Sequence, residues 1–184
     1  SQPIGNGIGP ALEARDVLRV LSNQKEAPAD LREKSLRLAA RILEFDPDVR
    51  GGQGYAIARD ILESGRAFDK MQAIIMAQGK QDDHDQQAPL QYTVLAQNSG
   101  YIHTIDNFKI ANIASLAGAP IDKLAGIDLS KKVGEKVNKG DTVAYIEAMK
   151  VINAITADAS GTVSEILVNH GDEVEEDDHL IKLS

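Results

Sequence analysis

Near Pro89 the spacing of apolar residues changes from a repeat of about 3.6 to a repeat of two. A stripe of one period cannot serve as a face of the other, so this change requires helices first and strands afterwards. The fold class it predicts is α+β, with a helical segment over 1–88 and a mainly β domain over 89–184. In the first segment Gly9-Pro10 places proline at a first helical position. Ala11, Leu12, Ala14, Val17, Leu18 and Leu21 then form one stripe, ending near Ser22. Asp30-Leu31-Arg32-Glu33 has capping-box spacing and opens a helix with Leu31, Leu36, Leu38, Ile42 and Leu43 on its buried face. Tyr55 to Ile75 is long enough for two helices or one bent near Gly65, and the polar stretch Gln78–Pro89 reads as a loop.

Beyond Pro89, Leu90, Tyr92, Val94 and Ala96 alternate with polar residues, and Asn98-Ser99-Gly100 predicts a hairpin into Tyr101–Ile105. Asp106 is placed to cap a short helix with Phe108, Ile110, Ile113 and Leu116 on one face, stopped by Gly118 and Pro120. The rest is strand and turn, and it contains a repeat. Gly134-Glu135-Lys136-Val137 leading to Asp141–Ile146 returns as Gly171-Asp172-Glu173-Val174 leading to Asp178–Leu183, an offset of 171 − 134 = 37 residues. Two such units can pack as a flattened barrel, each covering the apolar face of the other. Glu147-Ala148-Met149-Lys150 lies between the copies, where one half turns back into the other. A lysine at the tip of a tight hairpin offers an exposed amine on a rigid base.

Several chemistries are excluded by what the chain lacks. It has no cysteine, hence no disulfide, thiolate metal site or cysteine nucleophile. Its formal net charge is −8 and only 4% of residues are aromatic, a poor basis for gripping phosphate backbones or stacking bases, so no nucleic-acid partner is expected. No apolar run approaches the ~20 residues of a membrane span, and no basic segment precedes an apolar one at the N-terminus; a soluble, cytoplasmic protein without a membrane partner is expected. Gly5-Asn6-Gly7-Ile8-Gly9 before a helix has the chemistry of a phosphate loop, but no strand precedes it, and a structural entry turn is the preferred reading. Asp82-Asp83-His84-Asp85 lacks calcium-loop spacing, and it and the acidic run 172–178 read as solvated. His103, His170 and His179 are scattered without ligand spacing, so no metal site is expected.

The segment Ile146-Glu-Ala-Met-Lys150, with Ala157-Asp-Ala-Ser-Gly-Thr-Val-Ser-Glu-Ile-Leu-Val168, resembles the biotinyl domain of biotin carboxyl carrier proteins over about 133–184. The resemblance implies a barrel-sandwich hybrid, the biotinyl/lipoyl-like flattened β-barrel. It implies covalent biotin on Lys150, with Met149, Ala148 and Glu147 read by a biotin protein ligase, and Gly161 as a fold glycine. The implied partners are that ligase, a biotin carboxylase and a carboxyltransferase; the carrier itself has no catalytic residue. Lipoyl domains share the fold but differ around the lysine. Two departures are visible: Gly126 to Gly134 spans 8 positions against 10 from Gly161 to Gly171, and the usual Pro-Met-rich opening is missing.

Upstream, Ser1-Gln-Pro-Ile-Gly-Asn-Gly-Ile-Gly-Pro-Ala-Leu-Glu-Ala-Arg-Asp-Val-Leu18 is similar to a stretch of thymidine/AMP phosphorylases. Ser99-Gly-Tyr-Ile, Asp106-Asn107 and Ala117–Ile127 running into Val133–Val137 are similar to the C-terminal domain of those enzymes, so this resemblance covers about 1–147. It implies that 1–88 is part of a phosphorylase α/β domain. The family's phosphate and pyrimidine sites lie on segments N-terminal to those matched, so no phosphorolysis is expected from these 184 residues. The alternative to a carrier is therefore the C-terminal part of a pyrimidine nucleoside phosphorylase, and a homo-oligomer is compatible with both. The seam between the two resemblances falls near Tyr145–Glu147.

Overall fold

The structure, a computed structural model, describes residues 3–49, 51–79, 88–149, 160–168 and 179–183. The chain forms two compact units, 1–151 and 152–184. In the first, a two-residue strand β1 (Gly7–Ile8) leads into α1 (Pro10–Leu21), α2 (Ala29–Leu43), α3 (Gln53–Glu63) and α4 (Arg66–Ala77). Gly65, at φ 84, separates α3 from α4, so the third apolar segment is two helices broken where the glycine permits a left-handed residue. Val20, Leu36, Ala58 and Leu62 form the core shared by these helices.

Three details of the helical half differ from the sequence pattern. The buried residues of α1 are Leu12, Asp16 and Val20, one every fourth position, while Ala14 and Val17 face outward. On α2, Leu36 and Ala40 are buried but Leu38 and Ile42 are exposed, so the inward stripe is narrower than the apolar count predicts. The capping box does not form. Helix α2 starts at Ala29 after Pro28, and Glu33 accepts from the Tyr55 hydroxyl at 2.7 Å and from Arg37 Nε at 2.6 Å.

The β part of this unit is an antiparallel sheet in the order β1-β4-β6-β2, where β2 is Leu90–Leu95, β4 is Gly126–Leu129 and β6 is Thr142–Ala148. Strand β4 pairs with β1 on one edge and β6 on the other; β6 pairs with β4 and β2. The expected hairpin after β2 is absent. Gly100–Tyr101 forms β3, which pairs with β5 (Lys136–Val137), while β2 crosses to β6. Helix α5 (Asn107–Leu116) is capped as expected, with the Asp106 carboxylate accepting from the Phe108 and Lys109 amides at 3.0 and 3.2 Å. Its inward residue is Ala114; Phe108 and Leu116 lie in solvent and Ile110 only edges the core. Small residues at Ala114, Ala119 and Ala125 let the helix and its following loop approach Ile127, Leu129 and Ala144 closely.

The N-terminal strand is held in place by one buried carboxylate. Asp16, 1% exposed, accepts from the Asn6 and Gly7 amides through one oxygen at 2.6 and 2.8 Å. Its neighbour Arg15 forks onto Asp128 of β4 at 2.9 and 2.7 Å, the bidentate geometry that makes such pairs strong. A Cβ on Gly126 would run into the Ile8 carbonyl oxygen, and one on Gly7 would sit 2.5 Å from the Leu12 backbone, so glycine at both positions permits β1, α1 and β4 to meet. Asp16→Ala leaves two amides without an acceptor and is expected to cost about 3 kcal/mol, read as a lower urea midpoint at unchanged slope.

The second unit contains β7 (Val163–Ile166) and β8 (Ile181–Leu183), an antiparallel pair. This pair parallels β4 and β6 at the sequence offset, since 163 − 126 = 37, with a register shift between Val163 and Glu165 that β4 does not have. Asp128 faces Tyr145 and Leu129 faces Ala144 in the first copy; Glu165 faces Lys182 and Ile166 faces Ile181 in the second. The flanking hydrogen bond repeats too: the Ser130 amide donates to the Val143 carbonyl at 3.0 Å, and the Leu167 amide to the Leu180 carbonyl at 2.9 Å. The repeat thus extends upstream of the glycine turns, and the counterpart of Gly126 is Val163 rather than Gly161. With that correspondence the apparent two-residue shortening disappears. A closed barrel does not occur among the described residues.

Candidate functional site

The segment 147–150 begins on β6. Glu147 faces Gln91 of β2 on one side and Gly126 of β4 on the other, and Ala148 faces Leu90. Ala148 is buried, Glu147 is half-buried, and Met149 is 38% exposed immediately after the strand ends. Lys150 lies outside the described residues. Burial pushes the Glu147 carboxyl above the usual glutamate range. A hydrogen bond from Gln91 Nε2 at 3.5 Å opposes this, the negative charge of Asp128 reinforces it, and Arg15 opposes it again. The strand before the lysine has both edges paired as far as Glu147, and Ala148 pairs with β2 alone.

The chemistry available at the motif is that of a primary amine at position 150, the group a carboxylic-acid prosthetic group needs for an amide.

The glycine loop is not free to bind phosphate. The Asn6 and Gly7 amides donate to Asp16, the Gly5 amide reaches Asp30 Oδ1 at 3.4 Å, and the Gly9 amide donates to Glu13 Oε1 at 3.1 Å. The loop's donors already hold carboxylates supplied by the chain, in agreement with a structural entry turn. Residues 82–85, the acidic run 172–178 and His170 lie outside the described residues, while His103 and His179 are exposed. Among the described residues no group of three or more His, Asp or Glu is placed to hold a metal ion. Nor is any helix among them long and apolar enough to cross a membrane.

Sequence reading missed a cavity of about 420 Å³ lined by Pro3, Glu26, Pro28, Asp30, Ile105 and Lys132. The Lys132 ammonium donates there to the Gly5 carbonyl and lies 3.3 Å from Asp30 Oδ2. No local signal exists for it, since Lys132 and Asp30 are 102 residues apart.

With this geometry in view, both likenesses are found. Residues 114–183 match the biotin/lipoyl family described as "Biotin-requiring enzyme". The chain is 59% identical over 150 residues to a "Putative thymidine phosphorylase" of Albidiferax ferrireducens, covering 80% of this chain and 29% of that protein. It is 57% identical over 148 residues to one of Methylococcus capsulatus and 53% identical over 149 residues to one of Nitrobacter hamburgensis, with 80% and 81% of this chain covered. The chain spans 29% of the length of each of these relatives. The two matched stretches together exceed the chain's length, so they share residues.

Because the Glu147 carboxyl titrates higher in the fold than in the unfolded chain, its ionisation opposes folding. Its contribution is most favourable at low pH and is lost as pH rises through the ordinary glutamate value towards the raised one. Glu147→Gln is accordingly expected to raise Tm at pH 8, with the gain vanishing as pH falls below that window; thermal scans across pH check it.

Proposed function

We propose that the C-terminal region is a biotin carboxyl carrier module, with Lys150 as the attachment point and Glu147, Ala148 and Met149 as the residues a biotin protein ligase reads. The observation that carries this reading is the repeat. Glu147–Lys150 falls between two copies that share an offset of 37 residues, a strand register and a flanking hydrogen bond. The match of residues 114–183 to the biotin/lipoyl family supports it. The barrel-sandwich hybrid is the architecture proposed for the region.

In the attachment step the Lys150 amine forms an amide with biotin's carboxyl group. ATP is the co-reactant, AMP and pyrophosphate leave, a proton is released, and the formal charge of −8 becomes −9. Bound biotin supplies carboxyl transfer; the chain's own residues position it and perform no bond chemistry. A tether of this length holds the group at millimolar effective concentration near a second site, about the value for short flexible links. Biotin carboxylase and a carboxyltransferase are the partners of such a carrier, and the cytoplasm, where ATP and the ligase are, is its compartment. Intact mass after incubation with biotin, ATP and a biotin protein ligase tests the reading. The parent is expected to gain one biotin and Lys150→Arg none; labelling of the arginine variant would reject Lys150.

A second reading is favoured by the identity to proteins named as thymidine phosphorylases. In it residues 1–147 belong to a pyrimidine nucleoside phosphorylase whose phosphate and base sites are carried by other segments. Adding this chain to a polypeptide that supplies those segments is then expected to restore thymine release from thymidine and phosphate. Failure of a folded mixture to do so removes it.

A further inference from the structure

The four-stranded sheet has two outer edges, and the chain treats them differently. β1 ends one of them and is only two residues long, too short to seat a further strand. β2 ends the other with six residues, Leu-Gln-Tyr-Thr-Val-Leu. Charges and prolines are the usual means by which an edge strand turns away a partner, and β2 contains neither. Among the described residues no strand pairs with its outer edge, so a row of backbone donors and acceptors faces away from β6. We propose that this edge pairs antiparallel with the β2 of a second copy of the chain, joining two four-stranded sheets across a two-fold axis at Tyr92.

The sequence of β2 matches itself in that arrangement. Its ladder with β6 is regular from Leu90 to Val94 and shifts only between Val94 and Leu95, so Tyr92 is the centre of the regular part. A two-fold axis there sets Tyr92 opposite Tyr92, Leu90 opposite Val94 and Gln91 opposite Thr93 of the second copy. Apolar side chains then meet on the face where Val94 packs against the core, and an amide meets a hydroxyl on the other. A slip of one residue brings Gln91 opposite Val94 and turns the core face of one copy to the solvent side of the other. Charge points to the same occupant. The chain carries a net −8, which opposes the approach of a second copy in general, but the edge itself is neutral and β2 is a neutral strand of equal length. Tyr92 is 69% exposed and Leu90 37% exposed in the single chain, and a second β2 shields both. A contact in which each copy presents the same strand closes at two, so it makes a dimer and not a fibre.

Sedimentation equilibrium on the chain tests the pairing, with urea unfolding to verify that each variant is folded. The parent is expected to dimerise as its concentration rises. Gln91→Lys/Thr93→Lys sets lysine opposite lysine at both flanking pairs and is expected to weaken the dimer about tenfold, since like charges directly opposite repel. Gln91→Lys/Thr93→Glu sets lysine opposite glutamate at the same places and is expected to dimerise at least as tightly as the parent. The chain has no cysteine, so a single introduced one reports the register. Directly opposite residues lie about 4.5–5.5 Å apart at Cα, within disulfide reach. Oxidation is therefore expected to link Tyr92→Cys chains about tenfold faster than Thr93→Cys chains, whose cysteines lie on a diagonal. A parent that stays monomeric at every concentration overturns the pairing and leaves the edge to a strand of another protein. A dimer that the two-lysine variant leaves intact, or that both charge variants weaken alike, overturns it and places the contact on another face. Equal linking at positions 92 and 93 overturns the axis at Tyr92.

Discussion

A β-strand has two hydrogen-bonding edges, and both edges of β6 are taken by strands from the same unit. β4 holds Ala144 to Glu147 on one side, and β2 runs from Thr142 to Ala148 on the other. Everything around β6 follows from its central position. Its inward residue Ala144 is small, which lets the helix-and-loop layer of Ala114, Ala119 and Ala125 close over the sheet. Its one carboxylate, Glu147, is partly desolvated because strands flank it on both sides. The same strand ends in the residues that resemble a biotin acceptor. One sequence segment therefore serves two resemblances.

The two copies of the repeat show how one backbone pattern meets different surroundings. Leu129 and Ile166 are equivalent by register, yet Leu129 is 7% exposed and Ile166 is 68% exposed. Nothing in the strand pair accounts for that difference. α5 and its following loop cover the first copy. The acidic position is kept in both copies, as Asp128 and Glu165, but among the described residues only Asp128 has an arginine forked onto it. The repeat thus fixes the backbone pairing, while the cover and the charge pairing come from segments outside it.

Local patterns in the sequence carried the helices, the break at Gly65, the cap at Asp106 and the repeat, because each depends on residues within a turn or two of one another. Long-range pairing was not legible in the same way. Leu90–Leu95 alternates like a hairpin strand, and alternation specifies a face but not a partner, so its match with residues 142–148 could not be read. The inward face of α1 was misplaced for a related reason. Asp16 occupies a core position because it serves two backbone amides, and a hydrophobic pattern counts a carboxylate as outward. The motif 147–150 was legible as a resemblance; that its strand is central could be learned only from the sheet.

The glycine loop shows why a motif needs its hydrogen-bond partners before it is assigned chemistry. Free amides ahead of a helix attract an anion, and the dipole of α1 adds to that attraction. A chain can meet the demand with a ligand or with its own carboxylates, and here it uses Asp16, Glu13 and Asp30. The internal anion closes the N-terminal strand against β4 and brings Arg15 to Asp128, whose negative charge in turn acts on Glu147. A loop built to hold phosphate would leave those amides open, and β1 would lose the contact that keeps it in the sheet. Anion binding and structural closure compete for the same donors, and the hydrogen bonds assign them to closure.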